Sequence, residues 1–107
     1  MKIQDIQIPE EIAEQYHFLM MDFQAMLLDG KGKSSTAMNA YYNNYMKTHK
    51  DIRDIAAFAM ALNHTGYMLE GEDQTLYWNL QVKATQEVYL TIRFSEDEQL
   101  AFRRYLD

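Results

Sequence analysis

The sequence contains no cysteine, and this absence excludes two classes of protein. A disulfide framework and a thiolate metal site both require cysteine, so neither is expected. The absence also suits a reducing compartment. Because the first residues, MKIQDIQIPEE, lack the apolar core of a signal peptide, we predict a cytoplasmic location. No apolar run approaches the roughly 20 residues that span a bilayer, so we expect no contact with a membrane.

Proline and glycine are scarce too, with one and four residues in a chain of 107. Linkers and low-complexity segments are rich in these residues, so we predict one domain over residues 1–107. Basic residues are also few, ten against sixteen acidic ones, which leaves a net charge of -6. Because such a chain repels a phosphate backbone on average, we expect no nucleic-acid partner.

The first predicted helix runs from Pro9 to about Leu28, since proline suits the first turn of a helix. Five apolar residues with helical spacing form its main stripe: Ile12, Tyr16, Leu19, Phe23 and Met26. Four more, spaced 3-4-3, form a second stripe on a different side: Phe18, Met21, Ala25 and Leu28. A surface helix needs only one apolar stripe. The second stripe is therefore expected to contact the third helix of the same chain, a second copy, or another protein.

The second predicted helix covers residues 35–48 and carries a face of tyrosines. At 3.6 residues per turn, six residues fall on this side: Met38, Tyr41, Tyr42, Tyr45, Met46 and His49. Amphipathic tyrosines at helical spacing are typical of a core face with packed rings. We interpret the face in this way and expect Tyr42 and His49 to lie nearest to solvent.

The third predicted helix begins at Ile52 and extends to about Asn63. Asp51 precedes it as the N-cap residue. The run IAAFAMAL, at 55–62, is apolar throughout and rich in alanine, which predicts a helix buried on most sides. Gly66 is expected to mark the end of this helix.

From residue 67 onward the period of the apolar residues changes from about four to two, which is typical of β-strands. Three strands are predicted, at about 67–70, 76–82 and 88–94. A turn at 84–86 gives a register in which every apolar residue faces one side, with Trp78 and Ile92 inward and Tyr77 and Arg93 outward.

A last helix is predicted to run from the capping box of Ser95 and Glu98 to about Leu106. The segment KIQDIQI, at 2–8, is a candidate for a fourth strand at the sheet edge. The predicted fold is therefore α+β. Three N-terminal helices and a C-terminal helix pack on one face of a three- or four-stranded antiparallel meander.

Six carboxylates are predicted to share one rim of this meander, because the turn before its second strand and the end of its third strand meet at one edge. These residues are Glu70, Glu72, Asp73, Glu96, Asp97 and Glu98. Polar turns and the N-terminus of a helix explain acidic residues without any function. The functional interpretation is a docking surface for a basic protein partner, steered by complementary charge.

No catalytic or metal-binding motif is present in the sequence. The three histidines, His17, His49 and His64, lack the i, i+4 spacing of a helical metal site. There is no cysteine nucleophile and no Gly-x-Ser-x-Gly motif. We therefore predict a protein that is not an enzyme and has no cofactor or metal, with an enzyme of unrecognised site as an alternative.

The leading functional hypothesis is a non-enzymatic protein-binding module. The acidic balance favours a small inhibitor or regulator of a basic, nucleic-acid-handling protein. The predicted partner-binding residues are the six carboxylates of the rim together with Phe18, Met21 and Leu28. A homodimer through the second stripe is a further expectation. The alternative is binding of single-stranded nucleic acid or a small ligand by tyrosines of the outer sheet face, where rings can stack on bases.

Overall fold

The computed structural model describes residues 8–106, and every regular element in that range is helical. In chain order the elements are α1 (Glu10–Leu28), a 3-10 turn (Lys31–Lys33), α2 (Ser35–Thr48), α3 (Ile52–Tyr67), α4 (Gly71–Leu90) and α5 (Glu96–Leu106). Helices account for 84% of the described residues and strands for none, so the predicted α+β class is wrong. The candidate edge strand lies outside the described residues except for Ile8, which is in no regular element.

Helix α4 replaces most of the predicted meander. Its buried residues are Tyr77, Leu80, Ala84 and Val88, whose 3-4-4 spacing is helical. Along 76–82 the alternating apolar residues share only Leu80 with this buried set, so the alternation predicts a strand although the buried residues have helical spacing. Tyr77, predicted to face outward, is fully buried, whereas Ile92, predicted to face inward, is fully exposed. The predicted inward and outward sides are thus reversed at these two positions.

Helix α3 lies at the centre of the fold and has almost no free surface. Twelve of its 16 residues are buried, including all of 55–62. Helices α1, α4 and α5 all pack against it, and its alanines allow these neighbours to approach closely. The prediction that this segment is buried on most sides is confirmed.

Gly66 does not end α3, contrary to the prediction, because the helix continues to Tyr67. The glycine is needed for packing instead. A Cβ atom at Gly66 would lie 2.5 Å from Cδ1 of Trp78 on α4. The Trp78 indole N–H donates a hydrogen bond to the carbonyl of Asn63 at 3.2 Å, which holds the ring in this position. The missing side chain therefore sets how closely α3 and α4 approach.

The helix caps predicted at Asp51 and at Ser95–Glu98 are confirmed, and Ser34 and Gly30 occupy further cap positions. Ser34 accepts a hydrogen bond from the N–H three residues along α2, at 3.2 Å, and Asp51 accepts one at 2.8 Å in the first turn of α3. Ser95 and Glu98 form the reciprocal pair of a capping box, with bonds of 3.0 and 3.2 Å. Gly30, just beyond α1, has a φ of 88°, a left-handed conformation that favours glycine.

The tyrosine face of α2 belongs to the core, as predicted, with Met38, Tyr42, Tyr45 and Met46 buried. The position of Tyr42 was predicted wrongly, because only 1% of this residue is exposed. Its ring packs against that of Phe58 on α3, with centroids 5.8 Å apart, and the ammonium of Lys83 lies over the Tyr42 ring at 4.8 Å from its centroid.

Arg93 fastens the segment between α4 and α5 to the end of α2. Its Nη2 atom donates to the carbonyls of Met46 and His49, at 2.5 and 3.0 Å. Its Nη1 atom pairs with Glu87 at 2.8 Å. These bonds satisfy carbonyl groups at a helix C-terminus, a position that favours positive charge. Within residues 8–106 no helix has the length and apolarity needed to cross a membrane.

Candidate protein-binding surface

Helix α1 has apolar side chains on two opposite sides, and only one of them is covered. In the main stripe Ile12, Tyr16, Leu19 and Phe23 are between 0 and 3% exposed, so their predicted place in the core is confirmed. All four residues of the second stripe are exposed: Phe18, Met21, Ala25 and Leu28. The exposed fractions of Phe18, Met21 and Leu28 are 59, 71 and 90%. We call these four residues the outer stripe.

The outer stripe is not covered by α3, which was one of the three expectations for it. At about 100° per residue, the centres of the two stripes lie on opposite sides of α1. Helix α3 packs on the inner side, where the sulfur of Met20 accepts a hydrogen bond from Thr65 at 3.4 Å. The remaining expectations, a second copy or another protein, both leave the stripe open in the isolated chain.

A first cleft, of about 190 Å³, opens between α1 and α2 at the Phe18 end of the stripe. Its lining consists of Phe18, Gln15, Asp22, Tyr41, Asn44, Tyr45 and His49. The Tyr41 hydroxyl donates to the carboxylate of Asp22 at 2.8 Å. The ring of Tyr45 stacks on that of His49, with centroids 3.8 Å apart. Polar groups on both helices are therefore held in place beside the exposed Phe18 ring.

The tyrosines of the first cleft act as hydrogen-bond donors. Burial raises the pKa of Tyr41 well above its ordinary value, and the neighbouring carboxylate of Asp22 raises it further. Burial also raises the pKa of Tyr45, whose hydroxyl accepts from Gln15 at 3.0 Å and donates to the carbonyl of Asp54 at 2.7 Å. Both phenols stay protonated near neutral pH, so the cleft contains no tyrosinate that could act as a base.

A second cleft, of about 460 Å³, lies beside the C-terminal end of α1. Its lining consists of Gln24, Leu27, Leu28, Lys33, Met68 and Leu69. Met68 is 49% exposed and follows α3 directly. The outer stripe therefore runs along α1 from one cleft to the other, with Phe18 lining the first and Leu28 lining the second. Sequence patterns identify the stripe but not Met68, which falls in a predicted strand.

The six carboxylates of the predicted rim are divided between the two ends of α4. Glu70, Glu72 and Asp73 stand at its N-terminus, and Glu96, Asp97 and Glu98 follow its C-terminus. A helix of 20 residues is about 30 Å long, so the two groups do not form one rim. Asp73 pairs with Lys33 at 3.8 Å, and Glu98 caps α5. A partner-binding role for these residues stays a prediction, without the shared edge that suggested it.

A buried tyrosine–histidine pair links α1 to α3. The Tyr16 hydroxyl and the Nδ1 atom of His64 are 2.8 Å apart. Burial lowers the pKa of His64 and raises the pKa of Tyr16, so both groups are held neutral. A cleft of about 150 Å³ beside His64 is also lined by Asn63 and Gln81. Throughout the described range no three metal-binding side chains come together. The pair satisfies two polar groups of the core.

Known proteins give no further guide to this surface. No family model, no curated protein and no solved structure matches the chain. The function is therefore inferred from the geometry and chemistry of the residues themselves.

Proposed function

We propose that this protein is a protein-binding module that receives its partner on the outer face of α1. The observation that carries the proposal is the outer stripe, an apolar line on the side of the helix opposite to the core. Single exposed apolar residues are ordinary on a protein surface. A line of them that joins two clefts is typical of an interaction site. Met21, which is 71% exposed, suits such a contact because methionine adapts its shape to the surface it meets.

The surroundings of the stripe support recognition of a protein more than catalysis. In the first cleft the hydroxyl of Tyr41 is bonded to Asp22, and that of Tyr45 is bonded to Gln15, so these groups fasten α1 to α2. The second cleft is lined mainly by leucine and methionine side chains, which can bury apolar groups of a partner. Binding through tyrosines of a sheet face is not proposed, because residues 8–106 contain no sheet.

Photo-crosslinking tests the proposal in the cells that make the protein. A benzophenone amino acid replaces Met21 on the outer stripe or, as a control, Val82 on α4, which is 48% exposed and away from the stripe. We expect a covalent protein adduct with the probe at Met21. The adduct should disappear when Phe18→Glu is added, and it should be absent with the probe at Val82. Irradiation that gives no adduct at Met21, or equal adducts at both positions, would refute the proposal.

A further inference from the structure

We infer that the protein bound on the outer stripe is a second copy of this chain, with the two α1 helices antiparallel. The inference rests on the proposed function and names its partner. The 3-4-3 spacing reads the same in both directions: Phe18 and Leu28 lie five positions from residue 23, and Met21 and Ala25 lie two. A twofold axis on the outer side of α1, at the level of residue 23 along the helix, therefore brings the whole stripe of one copy onto the stripe of the other.

The side chains that meet in this arrangement fit each other in size. Phe18 of one copy lies opposite Leu28 of the other, so two large side chains enclose each end of the contact. Met21 lies opposite Ala25, which places a long side chain over a small one. Large residues that face small ones allow two helix surfaces to interdigitate at close distance. Because all four residues are exposed in one chain, the contact requires no rearrangement of the core.

The two ends of α1 differ in charge, and this difference favours the antiparallel direction. Three glutamates stand in its first five residues: Glu10, Glu11 and Glu14. Beyond the other end Lys31 and Lys33 are exposed, and they are balanced by Asp29 and by Asp73, which pairs with Lys33 at 3.8 Å. The antiparallel arrangement places the acidic end of each copy beside the charge-balanced end of the other. A parallel arrangement would place glutamates against glutamates, which costs free energy.

The extent of the stripe indicates a weak and reversible dimer. Four residues are few against the roughly 20–30 residues that each side contributes to a standard interface. Met68, which follows α3, adds exposed apolar surface beside Leu28, with 49% of its surface free. We therefore expect association at micromolar protein concentrations and above, with a dissociation constant that mutation of the stripe raises.

Sedimentation velocity of the full chain, from low-micromolar to near-millimolar concentration, tests the inference. We expect the sedimentation coefficient of the unmodified protein to rise from the monomer value toward the dimer value. Met21→Glu should raise the dissociation constant by about tenfold or more, because it places two carboxylates near the twofold axis. Val82→Glu on α4 is the matched control and should leave the dissociation constant unchanged. Circular dichroism of each variant establishes that the helices remain formed.

Mixing two variants separates a twofold contact through the outer stripe from association through another part of the surface. Met21→Glu and Met21→Lys should each be monomeric alone, whereas an equal mixture should form a dimer. The twofold axis sets the two positions about 6 Å apart along the helices, within reach of an ion pair. A mixture that stays monomeric while the unmodified chain dimerises would overturn the antiparallel arrangement.

The sedimentation and crosslinking results together distinguish a failure of this inference from a failure of the proposed function. If the unmodified chain is monomeric at every concentration, and the adduct at Met21 contains a different protein, the second copy is refuted and the binding function survives. If no adduct forms at Met21 and no dimer is seen, both are refuted. An adduct whose peptides all come from this chain, together with a dimer that Met21→Glu weakens, supports both.

Discussion

The hydroxyl of Tyr77 donates a hydrogen bond to the backbone carbonyl of Gly32, at 2.8 Å and across 45 positions of the chain. The tyrosine is fully buried on α4, and the glycine stands in the 3-10 turn after α1. That turn is pressed against the end of α1, since a Cβ atom at Gly32 would lie 2.7 Å from the backbone nitrogen of Leu27. This hydrogen bond thus connects α4 to the 3-10 turn, whose last residue, Lys33, lines the second cleft.

Tyr77→Phe should lower the free energy of unfolding by about 1–3 kcal/mol, because a buried carbonyl loses its donor. Tyr89→Phe is the matched control. The Tyr89 hydroxyl is on the exposed side of α4 and its bond to the carbonyl of Gln99 is long, at 3.4 Å. Its removal should change the free energy by no more than about 0.5 kcal/mol. Urea denaturation followed by circular dichroism measures both values. Equal losses would contradict the buried role of Tyr77.

Gly66→Ala should destabilise the protein by about 1–3 kcal/mol, because the new methyl group at this buried position would meet the indole of Trp78. A loss of stability would be informative, because alanine in the interior of a helix is otherwise more stable than glycine by about 1 kcal/mol. Thermal denaturation measures the loss. In a Trp78→Leu background, where the indole is absent, the same substitution should cost less. A cost that does not depend on residue 78 would rule out the close approach of α3 and α4.

Phe18→Glu and Phe23→Glu, on the same helix, should have opposite outcomes for folding. Phe18 is 59% exposed, so the charged side chain reaches water and the free energy of unfolding should change by about 0.5 kcal/mol or less. Phe23 is fully buried against Phe58 and Tyr77, and an unpaired carboxylate there should unfold the protein. Circular dichroism spectra with thermal melts measure the difference. Unfolding caused by Phe18→Glu would mean that the outer stripe is covered within the chain.

His64 should make the protein less stable as the pH falls below about 6.5, the ordinary pKa of histidine. Because burial lowers the pKa of His64 in the folded state, the unfolded chain binds the proton first. Above pH 6.5 both states are neutral at this residue and it contributes no pH dependence. Below it, the free energy of unfolding should fall by at most about 1.4 kcal/mol per pH unit until the folded state also takes up the proton.

The contribution of His64 is isolated by comparing two substitutions between pH 7 and 5. His64→Asn keeps a polar group near the Tyr16 hydroxyl but cannot titrate, so its stability should depend less steeply on pH. Val82→Asn, at an exposed position that carries no titratable group, should keep the slope of the unmodified protein. Urea denaturation at each pH measures the slopes. Identical slopes for the protein and His64→Asn would show that the folded state accepts the proton readily.

The first three helices and the start of α5 could be predicted from the sequence because local signals determine them. Ser34, Asp51 and the Ser95–Glu98 pair cap their own helices through bonds within a few residues. Helix α4 has no such signal, since Glu70 makes no side-chain cap bond. Its apolar pattern fits a strand as well as a helix, and burial of Tyr77 rather than Trp78 depends on contacts with α1 and the 3-10 turn.

Part of the candidate site depends on residues close together in the sequence, and part depends on residues that are far apart in it. The outer stripe follows from residues on one helix, so periodicity alone predicts Phe18, Met21 and Leu28. The two clefts need partners from elsewhere in the chain, such as Tyr41 beside Asp22 and Met68 beside Leu28. A pattern of residues cannot reveal these neighbours before the helices are placed. The shared edge predicted for the six carboxylates was wrong because it required strands, and residues 8–106 contain none.

The burial of α3 also limits where this protein can acquire new properties in evolution. A helix with 12 buried residues out of 16 has few positions at which a substitution changes the surface without disturbing the core. Variation that is neutral for folding must collect on the outward sides of the surrounding helices. Each of these can alter its exposed residues while its inner side keeps the same neighbours. A new binding specificity could therefore arise on α1, and be lost again, without any change in the helix on which the fold is built.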